Sequence, residues 1–98
     1  MDKQTAISTL LAHKAELKEL GIDYLTLFGS VARDEAGPDS DVDLLATFDK
    51  AKAISLLNVV GIQRKISEIL DCSVDLGSAT AVKSRLRPHI GPDLIDVF

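Results

Sequence analysis

The stretch Leu27–Leu45, LFGSVARDEAGPDSDVDLL, decides the fold of this 98-residue chain. It carries a Gly-Ser pair after an apolar run and, after ten intervening residues, an Asp-Val-Asp triplet before another apolar run. The first run, IDYLTLF, is rich in β-branched and aromatic residues and predicts a buried strand that ends at Gly29. The second, DVDLLATF, predicts another strand, and the turn-forming residues DEAGPDS predict a loop between them.

Periodic apolar residues predict the helices that flank these two strands. One helix is expected from about Thr5 to Leu20, where Gly21 ends it, and another from about Ile54 to Leu70. A short helix is expected at SVAR, with Ser30 as its N-cap, and a third strand at CSVDL. A last helical stretch is expected to open at Gly77-Ser78.

This order of elements predicts a small α/β (α+β) fold, in which helices pack on a mixed three-stranded sheet within a single domain, residues 1–98. The short link between the first two strands favours an antiparallel pair. The helix between the second and third strands favours a parallel pair with a right-handed crossover. The end of strand one and the starts of strands two and three then share one sheet edge. That edge carries three groups of residues: Gly29-Ser30, Asp41-Val42-Asp43 and Asp75.

Composition narrows the classes of function. The net charge is −4, and only four residues are aromatic, with no Trp among them, so direct nucleic-acid binding is not expected. One cysteine excludes an internal disulfide and fits a reducing compartment. The polar N-terminus lacks a signal-peptide core, and no apolar run approaches membrane-spanning length. We therefore expect a cytoplasmic protein with no membrane partner.

Three carboxylates form the first half of a candidate site. Asp41 and Asp43 are two residues apart on a strand and should point to the same face, where their charges repel unless a cation lies between them. Solvated turn acids are the ordinary alternative for such a pair. Asp75, among apolar neighbours on the adjacent strand, completes a triad and would need a metal ion or a donor if it were buried. Its alternative is a strand-edge acid or a helix N-cap.

The Gly29-Ser30 pair supplies the second half of the candidate site. Glycine lets the backbone approach a ligand closely, and the N–H groups at a helix start can bind anionic oxygen. A plain strand-to-helix turn is the alternative, because this dipeptide alone carries little information. An EF-hand fails because its required glycine and glutamate are replaced by Leu44 and Lys50, and no Walker phosphate loop occurs. Acids facing a Gly-Ser turn favour a site for a nucleoside triphosphate with Mg²⁺.

These motifs resemble a known family. Gly29-Ser30, ten intervening residues and Asp41-Val42-Asp43 are similar to the G-S-x10-D-x-D signature of the DNA polymerase β-like nucleotidyltransferases. The segments LFGSVAR, PDSDVDLL and VDL followed by RLRPHI resemble the minimal nucleotidyltransferase (MNT) subfamily in order and spacing. The likeness covers most of the chain from about Leu17 onward.

The resemblance implies a role for each site residue. Asp41 and Asp43 would ligate Mg²⁺, and Asp75 would complete a second Mg²⁺ site and help to deprotonate the attacking hydroxyl. Gly29 and Ser30 would hold the β- and γ-phosphates of ATP. Attack on the α-phosphorus would then transfer AMP and expel pyrophosphate.

Three further residues bear on the resemblance. Arg33 could reach a phosphate or be a solvated helix arginine, and the sequence leaves both open. Asp34 stands where family members commonly have glycine, and its charge would weaken nucleotide binding. The chain also reaches Phe98 soon after the last helix, where relatives often continue.

The resemblance also implies a partner. MNT proteins are commonly paired with HEPN ribonuclease toxins and act as antitoxins that adenylylate a tyrosine on the toxin, so a hetero-oligomer is expected. One alternative is a binding module that neutralises its partner by covering it, without catalysis. A small-molecule nucleotidyltransferase is less favoured, because such relatives carry an additional domain.

Overall fold

The computed structural model describes residues 2–33, 41–78 and 94–98, and in them the chain forms one four-stranded mixed sheet with helices against it. The strand order is β3-β2-β1-β4. The elements, in chain order, are α1 Lys3–Ala12, α2 Lys14–Glu19, β1 Ile22–Phe28, α3 Gly29–Ala32, β2 Val42–Phe48, a 3₁₀ turn Lys50–Lys52, α4 Leu56–Leu70, β3 Val74–Ser78 and β4 Ile95–Asp96.

The predicted strand directions are confirmed. β1 and β2 are antiparallel, with Leu27 opposite Leu44, whereas β2 and β3 are parallel, with Leu44 beside Leu76. Because α4 crosses between β2 and β3, those two strands run in the same direction. The ends that were expected to share one sheet edge therefore do share it.

The prediction of three strands was wrong by one, because β4 adds to the outer side of β1. Thr26 and Leu27 pair with Asp96 and Ile95, and the N–H of Val97 donates to the Leu25 carbonyl at 2.8 Å. Two paired residues are too few to produce a period-two pattern, so nothing in the sequence indicated this strand.

The first predicted helix is real but is divided at His13. The N–H of His13 donates to the Leu10 carbonyl at 3.1 Å, a tight turn that ends α1, and the backbone turns helical again from Lys14. The helix also starts earlier than predicted. The Asp2 carboxylate accepts the Thr5 N–H at 2.7 Å and caps the helix end at Lys3.

The second predicted helix, α4, begins at Leu56 because Ser55 and Asn58 form a reciprocal capping box that fixes its start. It ends where Asp71 adopts a left-handed conformation. The expected opening of a last helix at Gly77-Ser78 was wrong, since both residues continue β3. The rest of that predicted helix lies outside the described residues.

The hydrophobic core lies between the helices and one face of the sheet. Alternate residues of β2 enter it: Val42, Leu44 and Ala46 have no exposed surface. α4 contributes Ile62 and Ile66 from its inner side. Along the described residues, no helix is both long and apolar enough to cross a membrane.

Candidate active site

Asp43 occupies the centre of the predicted sheet edge. Its register partners are Phe28 at the end of β1 and Asp75 near the start of β3. The N–H of Val42 donates to the Ser73 carbonyl at 3.0 Å, which fixes the parallel pairing at this point. Two carboxylates are therefore held side by side on neighbouring strands by the backbone ladder.

Side chains of β2 alternate between the two faces of the sheet, so that one face contributes to the core and the other carries the candidate site. Val42 and Leu44 point into the core, so Asp43 between them points to the opposite face of the sheet. Asp75, beside Asp43 in register, lies on that same face. The carboxylates thus stand on the sheet face that the apolar core does not use.

Asp41 lies one residue before β2 and is exposed, so the strand starts one residue later than predicted. Asp75 is exposed too. The expectation that Asp75 could be a buried carboxylate in need of a partner was wrong. Asp75 is exposed on β3, which is an edge strand of the sheet. Asp43, on a central strand, is the partly buried member of the three.

The electrostatics of the site centre on Asp43. Burial raises the pKa of its carboxyl above the ordinary value, and the charges of Asp75 and Asp41 raise the pKa further. Arg33 acts in the opposite direction but does not reverse the shift. A carboxylate in this position is stabilised by an added cation, which makes the edge a receptive place for a positive ion.

Gly29 makes room for that carboxylate. Its φ is +78°, and a Cβ placed on it would overlap Oδ2 of Asp43 and lie 3.1 Å from Cγ. An L-residue here would therefore be strained by its backbone and would also displace the acid. The sequence indicated glycine as a phosphate contact but missed this second role, which only the pairing of Phe28 with Asp43 reveals.

Ser30 is not the N-cap that the sequence predicted. Because Gly29 turns the chain directly out of β1, the helical pattern starts at Gly29 itself, and the N–H of Arg33 donates to the Gly29 carbonyl at 3.2 Å. Phe28 takes the N-cap position without a side-chain hydrogen bond. Ser30 is thus the second residue of α3 and partly buried, which keeps it next to the carboxylate edge.

Arg33 follows α3 as an exposed residue whose charge lowers the pKa of Asp43. Its guanidinium is therefore within electrostatic reach of the carboxylates. Asp34, the residue at which the sequence departs from the family pattern, lies outside the described residues.

The donor set suits magnesium bound with a phosphate better than an all-protein cage. In the described ranges, no three acidic, histidine or cysteine side chains are grouped so that they could hold a metal ion. Mg²⁺ in phosphate-transfer sites is usually bound by one or two carboxylates together with the substrate's own oxygens. The adjacent carboxylates of Asp43 and Asp75, with Asp41 close by, fit that description chemically.

Comparison with known proteins gives consistent matches. Residues 11–96 match the family model described as nucleotidyltransferase domain. The protein adenylyltransferase MntA of Thermococcus cleftensis is 40% identical over 91 residues, which make up 92% of this chain and 90% of that protein.

Solved structures agree with these sequence matches. One assigned as a minimal nucleotidyltransferase has a TM-score of 0.79 at 32% identity, covering 97% of this chain and 95% of that one. Another is the complex of an MNT antitoxin with a tri-AMPylated HEPN toxin from Shewanella oneidensis. It matches with a TM-score of 0.67 at 16% identity, over 98% of this chain and 71% of that one, a likeness of fold.

Proposed function

This chain belongs to the nucleotidyltransferase domain family, in its minimal form, and we propose that it transfers AMP from ATP to a tyrosine hydroxyl of a partner HEPN toxin. In this role it is the antitoxin of a toxin-antitoxin pair. The observation that carries the proposal is the register of Asp43 beside Asp75, next to a glycine that leaves space for the acid. The MntA relative, named as a protein adenylyltransferase, supports a protein as the acceptor.

The proposed reaction is an in-line displacement at the α-phosphorus of ATP. The tyrosine oxygen forms a bond to the α-phosphorus, and the bond from that phosphorus to the bridging oxygen of pyrophosphate breaks. Pyrophosphate leaves with the bonding electrons, and the phenolic proton passes to a base. Asp75 is exposed beside Asp43, so an incoming hydroxyl can approach it, and we assign it the role of that base.

The remaining residues bind the nucleotide. Asp41, Asp43 and Asp75, together with phosphate oxygens of ATP, would hold two Mg²⁺ ions, which when bound neutralise phosphate charge and polarise the α-phosphate. The backbone of Gly29 and the hydroxyl of Ser30 would contact the β- and γ-phosphates at the start of α3.

Arg33 would add a positive charge for the same phosphates. The lowering effect of its charge on the pKa of Asp43 supports this role, since that effect requires a guanidinium within electrostatic range of the carboxylates.

A transfer assay tests the proposal. The chain is incubated with the HEPN-family protein encoded in the same genome, Mg²⁺, and ATP labelled at the α-phosphate. We expect the HEPN protein to become labelled. It should stay unlabelled when the ATP is labelled at the γ-phosphate instead, and also when EDTA removes the Mg²⁺. Asp43→Asn should abolish labelling, whereas Glu16→Gln, which removes a carboxylate between α2 and α4, should not. If Asp43→Asn neutralises the toxin as well as the parent does, the chain acts by covering its partner and catalysis plays no part.

A further inference from the structure

Helix α4 has an outer apolar surface besides the one it buries. Leu56 and Leu57 are 80% and 83% exposed, and Val60 is 49% exposed. Val60 lies three residues after Leu57 and four after Leu56, so it neighbours both leucines on the first turns of the helix. We call Leu56, Leu57 and Val60 the α4 patch.

Gly61 leaves the helix backbone accessible beside the α4 patch. A Cβ built on this glycine meets no atom within 4 Å, so the space above it is open. Glycine in a helix interior costs stability relative to alanine, and no contact within the described chain accounts for it here. A side chain from another protein can therefore approach the backbone closely at this point, next to three exposed apolar residues.

Between residues 49 and 64, which include the α4 patch, three basic residues stand against one acid, Asp49, although the whole chain is acidic. The first turn of α4 has no acidic residue, so the partial positive charge of the helix start is offset only by the neutral capping box. Lys50 and Lys52 precede the helix and are exposed, and Lys52 donates to the Glu19 carbonyl at 2.9 Å. Arg64, exposed one turn after Val60, lies at the other end of the patch.

This charge pattern argues against a second copy of the chain as the occupant. In an antiparallel pair of α4 helices centred near Val60 and Gly61, Arg64 of each copy would meet the positive start of the other helix. In a parallel pair, the two Arg64 side chains would face each other. Either arrangement brings like charges together while burying the leucines.

The geometry points to the α4 patch as the docking surface for an amphipathic helix of the HEPN partner, with apolar residues over Leu56, Leu57 and Val60 and an acidic residue at the edge of its stripe. The acid would meet Arg64 or the start of α4, and the apolar residues would cover the leucines. The partner's identity rests on the proposed function, whereas the surface and its chemistry rest on α4 itself.

This surface is distinct from the site of AMP transfer. β2 starts at the carboxylate edge and ends near the start of α4, so the patch lies toward the opposite end of the sheet from Asp43. The 15 residues of α4 span about 20 Å before the chain returns to β3 and Asp75. The patch therefore holds the partner while a different part of that partner presents the acceptor hydroxyl.

Three side chains do not make a complete interface. Stable protein complexes bury roughly 800 Å² on each partner, which takes about 20 to 30 residues a side. The α4 patch is small compared with that, so it acts as the apolar anchor of a larger contact. Such anchors account for most of the effect when single interface residues are truncated.

The test is the affinity of purified chain variants for the HEPN protein of the same genome, measured by calorimetry without nucleotide. Leu57→Glu removes an apolar anchor and adds a negative charge close to the acidic residue that the partner is expected to carry. It should weaken binding by at least about 30-fold. The variant should fold, because a glutamate in the first turn of a helix interacts favourably with its dipole. Arg64→Glu should weaken binding less, by about fivefold, since charges at the rim contribute less than buried anchors.

The matched control is Leu11→Glu on α1, where the leucine is 44% exposed, and it should bind the HEPN protein as the parent does. Thermal unfolding and ATP affinity of Leu57→Glu should equal those of the parent.

Equal binding by Leu57→Glu and the parent would overturn the docking proposal and leave AMP transfer standing. A concentration-dependent dimer of the isolated chain that Leu57→Glu abolishes would identify a second copy as the occupant and would also overturn it. Failure of the parent itself to bind the HEPN protein would overturn the docking proposal together with the HEPN partner of the proposed function.

Discussion

Two carboxylates in this chain carry opposite pKa shifts, and the contrast separates a structural region from a functional one. Glu16, on α2, lies 3.1 Å from His13 Nδ1 and accepts a hydrogen bond from Lys65 of α4 at 3.0 Å. The contact with His13, and then that with Lys65, lowers the pKa of Glu16. Asp43, in contrast, is partly buried and lies near two further acids, Asp75 and Asp41. Burial and these two charges raise its pKa.

The difference shows what each region is built for. At Glu16 the chain supplies its own partners, the ring of His13 and the ammonium of Lys65, and the contact with Lys65 links α2 to α4. At Asp43 the described part of the chain brings three carboxylates together, and the charge of Arg33 offsets only part of their effect on the pKa of Asp43. Acids whose pKa values are raised by burial and by neighbouring acids are enriched at functional sites. The Glu16 region thus pairs its acid within the fold, whereas the Asp43 region brings acids together, as the proposed metal site requires.

The largest expected effect is on AMP transfer. Asp43→Asn should lower the initial rate of transfer to the HEPN protein by about 10³-fold, as removal of a key electrostatic group commonly does. Glu16→Gln, the matched loss of a carboxylate, should leave the rate within about twofold, since surface ion pairs contribute little even to stability. A comparable loss of rate in both variants would break the distinction.

The next effect concerns stability beside the site. Leu44→Ala should lower the free energy of unfolding by about 3 kcal/mol, because Leu44 is fully buried and leaves a cavity between β1 and β3. Urea unfolding would measure this change. Leu57→Ala on the exposed side of α4 is the control and should change stability by less than about 0.5 kcal/mol. A small decrease in the free energy of unfolding for Leu44→Ala would mean that Leu44, the residue after Asp43, is not part of the packed core.

A smaller effect is expected where the backbone meets the carboxylate. Gly29→Ala should reduce AMP transfer by about 100-fold, because the added methyl displaces Asp43 from the position beside Asp75. It should also destabilise the fold by about 1 kcal/mol or more, owing to the positive φ. Gly61→Ala, where no atom is near, should instead stabilise by about 0.5 kcal/mol. Unchanged transfer in Gly29→Ala would show that this close approach is not needed.

The sequence was sufficient to predict where the site residues come together. Gly29-Ser30, Asp43 and Asp75 each adjoin an apolar run of the right length, and antiparallel and parallel links bring those ends to one edge. The helical regions followed from the periodicity of their apolar residues, and three strands followed from runs of apolar, β-branched and aromatic residues. These features were accessible because each rests on several residues that repeat one pattern.

The errors arose where a single backbone choice or a tertiary contact decides the outcome. The break at His13 and the start of α3 at Gly29 depend on local hydrogen bonds that leave the apolar pattern unchanged. β4 consists of two residues. The burial of Asp75 was misjudged from its apolar neighbours in the sequence, although the predicted strand pairing already placed its strand at the edge of the sheet.

The opposite pKa shifts imply opposite pH dependences. Because the folded-state pKa of Asp43 is raised above 3.8, by burial and then by Asp75 and Asp41 against Arg33, its contribution to stability is present at low pH and is lost as the pH rises through that pKa. The folded-state pKa of Glu16 is lowered below 4.5, so its contribution is present at neutral pH and is lost as the pH falls through that pKa.

Urea unfolding of the parent, Asp43→Asn and Glu16→Gln in metal-free buffer, from about pH 4 to about pH 7, tests the contrast most directly. Relative to the parent, Asp43→Asn should become more stable as the pH rises, whereas Glu16→Gln should become less stable. Added Mg²⁺ should stabilise the parent and leave Asp43→Asn little changed. The contradicting result is that Asp43→Asn loses stability relative to the parent toward neutral pH, as Glu16→Gln is expected to do. In that case the ionised Asp43 carboxylate is paired within the fold, and the claim that Asp43 needs an added cation is wrong.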